Sequence, residues 1–395
     1  MAENLSPGVY VEEIEFGAKP IEGVSTSTVG FIGVASLTEM VSENQEAVAV
    51  GKPTFIVGWG DYTSKFGRYT EEAPYLAPAV YGFFANGGKR CYVVCAESDE
   101  PVDLIGTTDD DGNRTGLVAL EEIDEVSIVC IPGETDKTVQ AAMITHCENM
   151  GDRVAILDSP KDKSVDEIKK HREDHLASDK GVAALYYPWI ETSVEKLEDK
   201  GKVVLEKMLV PPSGAVAGIY ARSDSEKGVH KVPANEIVRG ALSLEKNITK
   251  AEQDILNPLG INCIRAFKGR GIRVWGARTI STDPLWKYVN VRRLFLYLEE
   301  SIDKSTQWVV FEPNNEQLWA RVAQSVDNFL LTVWKSGALM GTTPEEAFFV
   351  KCDRTTMSEN DIDNGKLVVR IGVAPTKPAE FVIFEIGQWT ASSES

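Results

Sequence analysis

The chain has 395 residues, 43% hydrophobic and 26% charged, with 60 Asp plus Glu against 41 Lys plus Arg and a net charge of −19. That length accommodates two to three domains with sizeable cores, and no stretch approaches the roughly 20 continuous apolar residues of a membrane span. The negative charge opposes nucleic-acid binding, whose affinity comes from basic groups on phosphates, and it makes dense self-packing costly unless charges pair locally.

The opening MAENLSPGVYVEEIE has neither a basic region nor an apolar core, so no secretory signal and synthesis in the cytoplasm are expected. Val9–Ile14 read as a short strand, set off by the breakers Gly17, Pro20 and Gly23. Thr28–Ala35, Thr54–Gly58 and Cys91–Ala96 read as buried strands, with a helix near Leu76–Asn86 before Gly87 and Gly88. From there strands and helices alternate. Strands are expected at Ser127–Ile131, Arg153–Leu157 and Val182–Tyr187, and helices at Asp136–Asn149 and Val165–His175, which predicts an α/β layer with parallel pairing. Residues 211–222 carry small side chains, as suits a helix packed closely on its sheet.

Cys263–Phe267 and Ile272–Trp275 flank a glycine-rich turn. Val291, Leu294, Phe295, Leu298 and Ile302 share one helix face. A second helix is predicted from about Asn315 to Ser336, with Asn314 as candidate N-cap and Gly337 as its stop. Strand Leu367–Val373 follows, and beyond the break Pro375–Pro378 a last strand is expected at Phe381–Gln388. The six cysteines (Cys91, Cys95, Cys130, Cys147, Cys263, Cys352) lie in apolar segments and are expected to be reduced and buried.

The motifs of catalysis fail on inspection. His171 and His175 stand one helical turn apart, but Arg172 replaces the Glu of a zinc-protease motif. Aligning Gly112 with a calcium loop puts Val118 where a bidentate Glu is required, so Asp109–Gly112 reads as a surface turn. Asn86–Arg90 lacks the earlier glycine and the Ser/Thr of a phosphate loop, and Gly269–Gly271 precedes no helix start. His146 and Cys147 are helix neighbours that point in different directions. No catalytic, metal-binding or cofactor-binding residues are therefore expected. A metabolic α/β enzyme is the less favoured alternative, beside a static shell or filament subunit.

Two features point to assembly. Val9, Tyr10, Val11 and Ile14 near one end, and Val382, Phe384 and Ile386 near the other, are apolar strand residues behind breaker-rich links. An exposed apolar strand is an aggregation hazard unless its partner is specified, and addition to a neighbour's sheet specifies one; pairing within the same chain is the alternative. Arg265, Lys268, Arg270, Arg273 and Arg278 form a run without an acid, a candidate acceptor for acidic surfaces of adjoining subunits. On the helix near 315–336, Gln324, Asn328, Leu331 and Lys335 lie opposite the apolar side and form a second candidate contact face.

Pro7–Glu13, Leu256–Asn262 (LNPLGIN), Gly269–Thr279 (GRGIRVWGART), Tyr288–Arg293 (YVNVRR) and the ending from Lys366 to Gln388 resemble the contractile phage tail sheath family, which includes the sheaths of extracellular contractile injection systems. The resemblance is specific over about residues 230–390 and the first 35; the middle, with Ile105–Thr108, fits more loosely. It implies an α+β inner domain against a central tube and an α/β outer domain. Extended N- and C-terminal strand arms would join neighbours' sheets by β-augmentation. The expected divisions are an amino-terminal arm and linker at 1–23, the outer region at 24–255, the inner domain at 256–378 and the carboxy-terminal arm at 379–395. The helix face at Gln324–Lys335 would then touch the tube. Partners implied are further copies of the chain in a helical homo-oligomer, an inner tube protein, and baseplate and terminal cap proteins. Neither nucleic acid nor membrane insertion is expected. The chain would serve in a phage tail or a released extracellular particle, contracting without nucleotide.

Overall fold

The structure is a computed structural model that describes residues 19–35, 48–198 and 202–385. It divides into two compact units: a larger one from residues 25–297 and 375 onward, and a smaller one from residues up to 24 together with 298–374. Residues 256–297, expected in an inner domain, thus fall in the larger unit.

Among the described residues, twelve strands build the larger unit's sheets: β1 (Val29–Gly33), β2 (Pro53–Ile56), β3 (Cys91–Cys95), β4 (Ile128–Cys130), β5 (Val154–Asp158), β6 (Ala183–Tyr187), β7 (Ile190–Glu198), β8 (Lys202–Val210), β9 (Glu236–Ile237), β10 (Ala241–Leu244), β11 (Ile261–Phe267) and β12 (Gly271–Val274). Nine of them lie in one sheet of order β2-β3-β1-β4-β5-β6-β11-β12-β9. Pairing is parallel from β3 through β11, and antiparallel where β2, β12 and β9 close the sides. The central strands are largely apolar because both faces are covered. Successive side chains go to opposite cores: Phe31 and Val93 enter one with Val29, while Ile32 and Val94 enter the other.

The predicted helices form where their caps allow. Asp136 accepts from the backbone amides of Thr138 and Val139 to start Lys137–Met150, and left-handed Gly151 ends it. Ser164 and Glu167 close a capping box on Val165–His175. The small residues after Pro212 belong to helix Ser213–Lys227, buried from Ser213 to Ser223. Their smallness serves helix–helix as much as helix–sheet contact. A Cβ on Gly214 would lie 2.2 Å from the Ala79 carbonyl oxygen, and one on Gly218 would lie 2.4 Å from that of Phe83, both on helix Leu76–Ala85.

The structure departs from the sequence reading at three places. The charged segment 190–210, assigned no structure, is a hairpin of β7 and β8 whose β7 also pairs β10. The N-cap of helix Glu316–Lys335 is Asn315, which accepts from the Leu318 amide; Asn314 instead accepts from the Trp319 indole. Residues 381–385 form no strand, and 386–388 lie outside the described residues.

Asp158, at the end of β5, is fully buried. It accepts from the Ser213 hydroxyl at 2.6 Å, the Ser213 amide at 2.8 Å and the Gly133 amide at 3.0 Å. Burial pushes its carboxyl up to about 6 against these hydrogen bonds. Since the folded-state value lies above the unfolded one, its stabilising contribution is present below about pH 4 and is lost as pH rises through about 6. Asp158→Asn is therefore expected to gain melting temperature relative to the parent between pH 5.5 and 7.5, as calorimetry at the two values would show. Gly218→Val is expected to lower the larger unit's melting temperature by about 3–10 °C, the effect of roughly 1–3 kcal/mol of overpacking.

Candidate assembly surfaces

The basic run folds into the β11–β12 hairpin. Gly269 (φ 74°) and Gly271 (φ 78°) take the left-handed conformations of its turn, which puts Arg270 at the tip. Phe267 and Trp275 face each other with ring centroids 4.6 Å apart. Arg265 lies 5.3 Å over Phe267, and Arg270 lies 5.5 Å over Phe267 and 5.7 Å over Trp275. Asn235 (φ 60°) completes the support, since its side-chain oxygen accepts from Arg270 at 3.1 Å and its carbonyl from Arg273 at 2.7 Å. Aromatic faces and carbonyl acceptors hold these guanidiniums in place without cancelling their charge. Lys268 is exposed beside them. Arg265 reaches inward to the Ile248 carbonyl and Gln253.

Arg278 is different in kind. Its guanidinium is 10% exposed and grips Glu380 through two parallel bonds, Nε–Oε1 at 2.8 Å and Nη2–Oε2 at 2.7 Å. Asn257 Nδ2 donates to the same carboxylate at 2.9 Å and the Tyr288 hydroxyl at 3.0 Å. Burial alone would raise the Glu380 carboxyl; the bonds from Arg278, Asn257 and Tyr288 outweigh it and hold the group below its ordinary range. Arg278 is thus committed within its own chain. Immediately after Glu380 the chain turns outward: Phe381, Val382, Ile383 and Phe384 are 71%, 68%, 83% and 82% exposed.

The smaller unit has a sheet of two strands among the described residues, β13 (Phe348–Lys351) and β14 (Arg370–Val373), paired antiparallel. Phe349 lies over Gly372, where a Cβ would meet the ring at 2.2 Å, and both Phe349 and Ile371 are exposed. Helix Glu316–Lys335 buries Leu318, Trp319, Val322, Val326, Phe329, Leu330 and Val333, as its periodicity predicts. Leu318, Trp319 and Val322 share a core with Met357. On the far side Gln324, Asn328 and Lys335 are exposed, while Leu331 is half-buried.

Val9, Tyr10, Val11, Ile14 and Ile386 lie outside the described residues. Of the motifs weighed for chemistry, Asp109 accepts from the amides of Asp111 and Asn113 to close a turn, and His171 bonds Gln140. Among the described residues no group of three or more His, Cys, Asp or Glu gathers as a metal site, and no helix is long and apolar enough to cross a membrane. The sequence reading missed Asn235 and Glu380; in Glu380 the one local signal is an acid between Pro378 and an apolar run.

Residues 111–280 match the phage tail sheath protein central domain, and residues 281–388 match the phage tail sheath C-terminal domain. The chain belongs to the phage tail sheath family. It is 24% identical over 399 residues to the tail sheath protein of Escherichia phage P2, covering 94% of this chain and 93% of that one. Among solved structures it is similar to the PVC sheath of an extracellular contractile injection system in the contracted state (30% identity, TM-score 0.78, 98% and 99% of the two chains). It is also similar to the anti-feeding prophage helical sheath in the contracted state (32% identity, TM-score 0.74, 97% and 99%). As a sheath protein it is a structural subunit of a contractile assembly. Reversing Arg270 and Arg273 to Glu is expected to leave the subunit folded while impairing tubular assembly. The defect is largest at low salt and eases as ionic strength rises, as sedimentation across a salt series would show.

Proposed function

We propose that this chain polymerises helically around an inner tube and, on contracting, drives that tube through a target envelope. Its terminal arms hold neighbouring subunits together throughout. The observation that carries the reading is that, among the described residues, a two-stranded acceptor sheet and an exposed apolar donor segment occur in one chain. β13 and β14 make a two-stranded sheet, and such a sheet is marginal unless further strands or packing complete it. Four consecutive exposed apolar residues, Phe381–Phe384, stand at the other end of the exchange. Strand addition satisfies the backbone groups of both and buries apolar side chains in the same step.

Magnitudes show what such a bond depends on. Burying Phe381, Val382, Ile383 and Phe384 contributes about 6–12 kcal/mol at about 1.5–3 kcal/mol each. Ordering five or six residues costs about 5–12 kcal/mol at about 1–2 kcal/mol each. Apolar burial therefore only offsets the ordering cost, and the margin comes from main-chain hydrogen bonds and from how far the donor is ordered beforehand. The amino-terminal residues Val9, Tyr10, Val11 and Ile14 act as the second donor. The hairpin tip at Lys268, Arg270 and Arg273, with Arg265 behind it, meets acidic surfaces of adjoining subunits and guides register. Arg278 serves this role only indirectly, through Glu380. The helix face of Gln324, Asn328, Leu331 and Lys335 touches the tube, its polarity allowing release on widening. Baseplate and cap proteins close the ends of the assembly, which forms in the cytoplasm as part of a phage tail or a particle released from the cell.

Deletion of residues 2–16, and separately of 381–395, is expected to leave soluble, folded subunits that no longer form tubes. Electron microscopy of the purified variants checks this; normal tubes from both deletions would refute arm exchange.

A further inference from the structure

Three stretches singled out in the sequence each send one side chain to a single point that none of them contains. LNPLGIN supplies Asn257, GRGIRVWGART supplies Arg278 and YVNVRR begins with Tyr288. All three bond the Glu380 carboxylate at 2.7–3.0 Å, and Lys287 Nζ stands 3.9 Å away.

The cage is built on the large sheet rather than on mobile surface. Asn257 precedes β11 and Arg278 follows β12. The Arg278 backbone is clamped in turn: its amide donates to Asn262 Oδ1 at 2.7 Å, and Asn262 Nδ2 donates to the Arg278 carbonyl at 2.7 Å and to the Leu185 carbonyl on β6 at 3.2 Å. Arg278 Nη1 also donates to the Asn257 carbonyl at 3.0 Å. Upstream, Asn290 Nδ2 donates to the Thr376 carbonyl at 3.2 Å, and Pro378 stiffens the link between the two holds. Exposed apolar chain begins at the residue after Glu380.

We propose that Glu380 is the fixed root of the carboxy-terminal arm, a positioning residue that presents Phe381 onward to a second copy of this chain from one place. This rests on the reading of residues 381–388 as a donated strand and adds to it where the strand is held. A fixed root matters because a tethered strand binds at an effective concentration set by the length and stiffness of its tether. Held at Glu380, the arm has no residue between anchor and strand, which begins at Phe381. Released there, its nearest remaining hold is Thr376, and the extra chain dilutes the strand around its target. The root also carries load, since tension on the donated strand passes into β6, β11 and β12 through Asn262 and Arg278.

The test compares three variants of the full chain with the parent, reading the fraction of subunit sedimenting as tubes at fixed concentration. Glu380→Ala removes the hold. Insertion of Gly-Ser-Gly-Ser between Glu380 and Phe381 keeps both cage and strand but frees one from the other. Truncation after Glu380 removes the strand. Glu380→Ala and the insertion are each expected to raise the concentration needed for assembly about tenfold through the lost effective concentration, and truncation to abolish assembly. The insertion is also expected to keep the parent's melting temperature. Parental assembly of the insertion variant overturns the proposal, because the cage would then act through stability alone. Parental assembly of a folded Glu380→Ala chain overturns it equally. If Glu380→Ala does not fold, the insertion decides by itself. Tubes from the truncated chain would instead refute the donated strand, whatever the other two variants do.

Discussion

Unspent hydrogen-bonding capacity along a sheet edge is the constraint around which this chain is organised. In the nine-stranded sheet that capacity is kept small. The outermost strands are short, four residues opening on Pro53 on one side and two residues on the other, and short or proline-bearing edges are poor templates for further pairing. Among the described residues the two-stranded sheet keeps more of that capacity relative to its strands.

Electrostatics follow the same division between what is settled within the chain and what is left for others. A net charge of −19 is tolerable in a packed array only with local compensation. Inside the larger unit one deeply buried cation is compensated directly. Arg293 pairs with Asp224, donates to the Thr26 carbonyl and lies 4.7 Å over Tyr220, so the incoming chain and two helices are joined by one guanidinium. Breaking one member of such a buried pair strands the other charge, which makes the arrangement specific as well as stabilising. At the β11–β12 tip the guanidiniums are held by rings and carbonyls instead of carboxylates. Their charge survives to act at a distance.

How much of this could be read from the sequence depended on how local the cause was. Strands β3 through β6 were legible because a strand covered on both faces is an unbroken apolar run. Helix Glu316–Lys335 was legible because its stripe repeats every turn. The hairpin of β7 and β8 was not, since a one-sided sheet rich in Lys and Glu has the composition of a surface helix or loop, and its partner Glu71, which pairs with Lys196, lies 125 residues away. The two adjacent asparagines 314 and 315 could not be ranked as caps, because the difference is whether Trp319 claims one of them. The cage around Glu380 was the least legible feature of all. Its members are separated by up to 123 residues, and each motif is visible while the point where they meet is not.

The cysteines have a consequence of a different sort. Cys91, Cys95, Cys130, Cys147 and Cys263 are buried in the larger unit, and burial pushes their thiols up, away from the reactive thiolate. Burial and the neighbouring Asp353 raise the Cys352 thiol too, but this cysteine, in the smaller unit, is the one of the six that is not fully enclosed. Exposure to an oxidising medium therefore threatens the folded chain little, since disulfide exchange needs an accessible thiolate. The unaltered sequence carries a single preferred handle for thiol chemistry. A fluorophore or spin label offered under mild conditions reports on the smaller unit first, next to the two-stranded sheet, without any mutation to place it there.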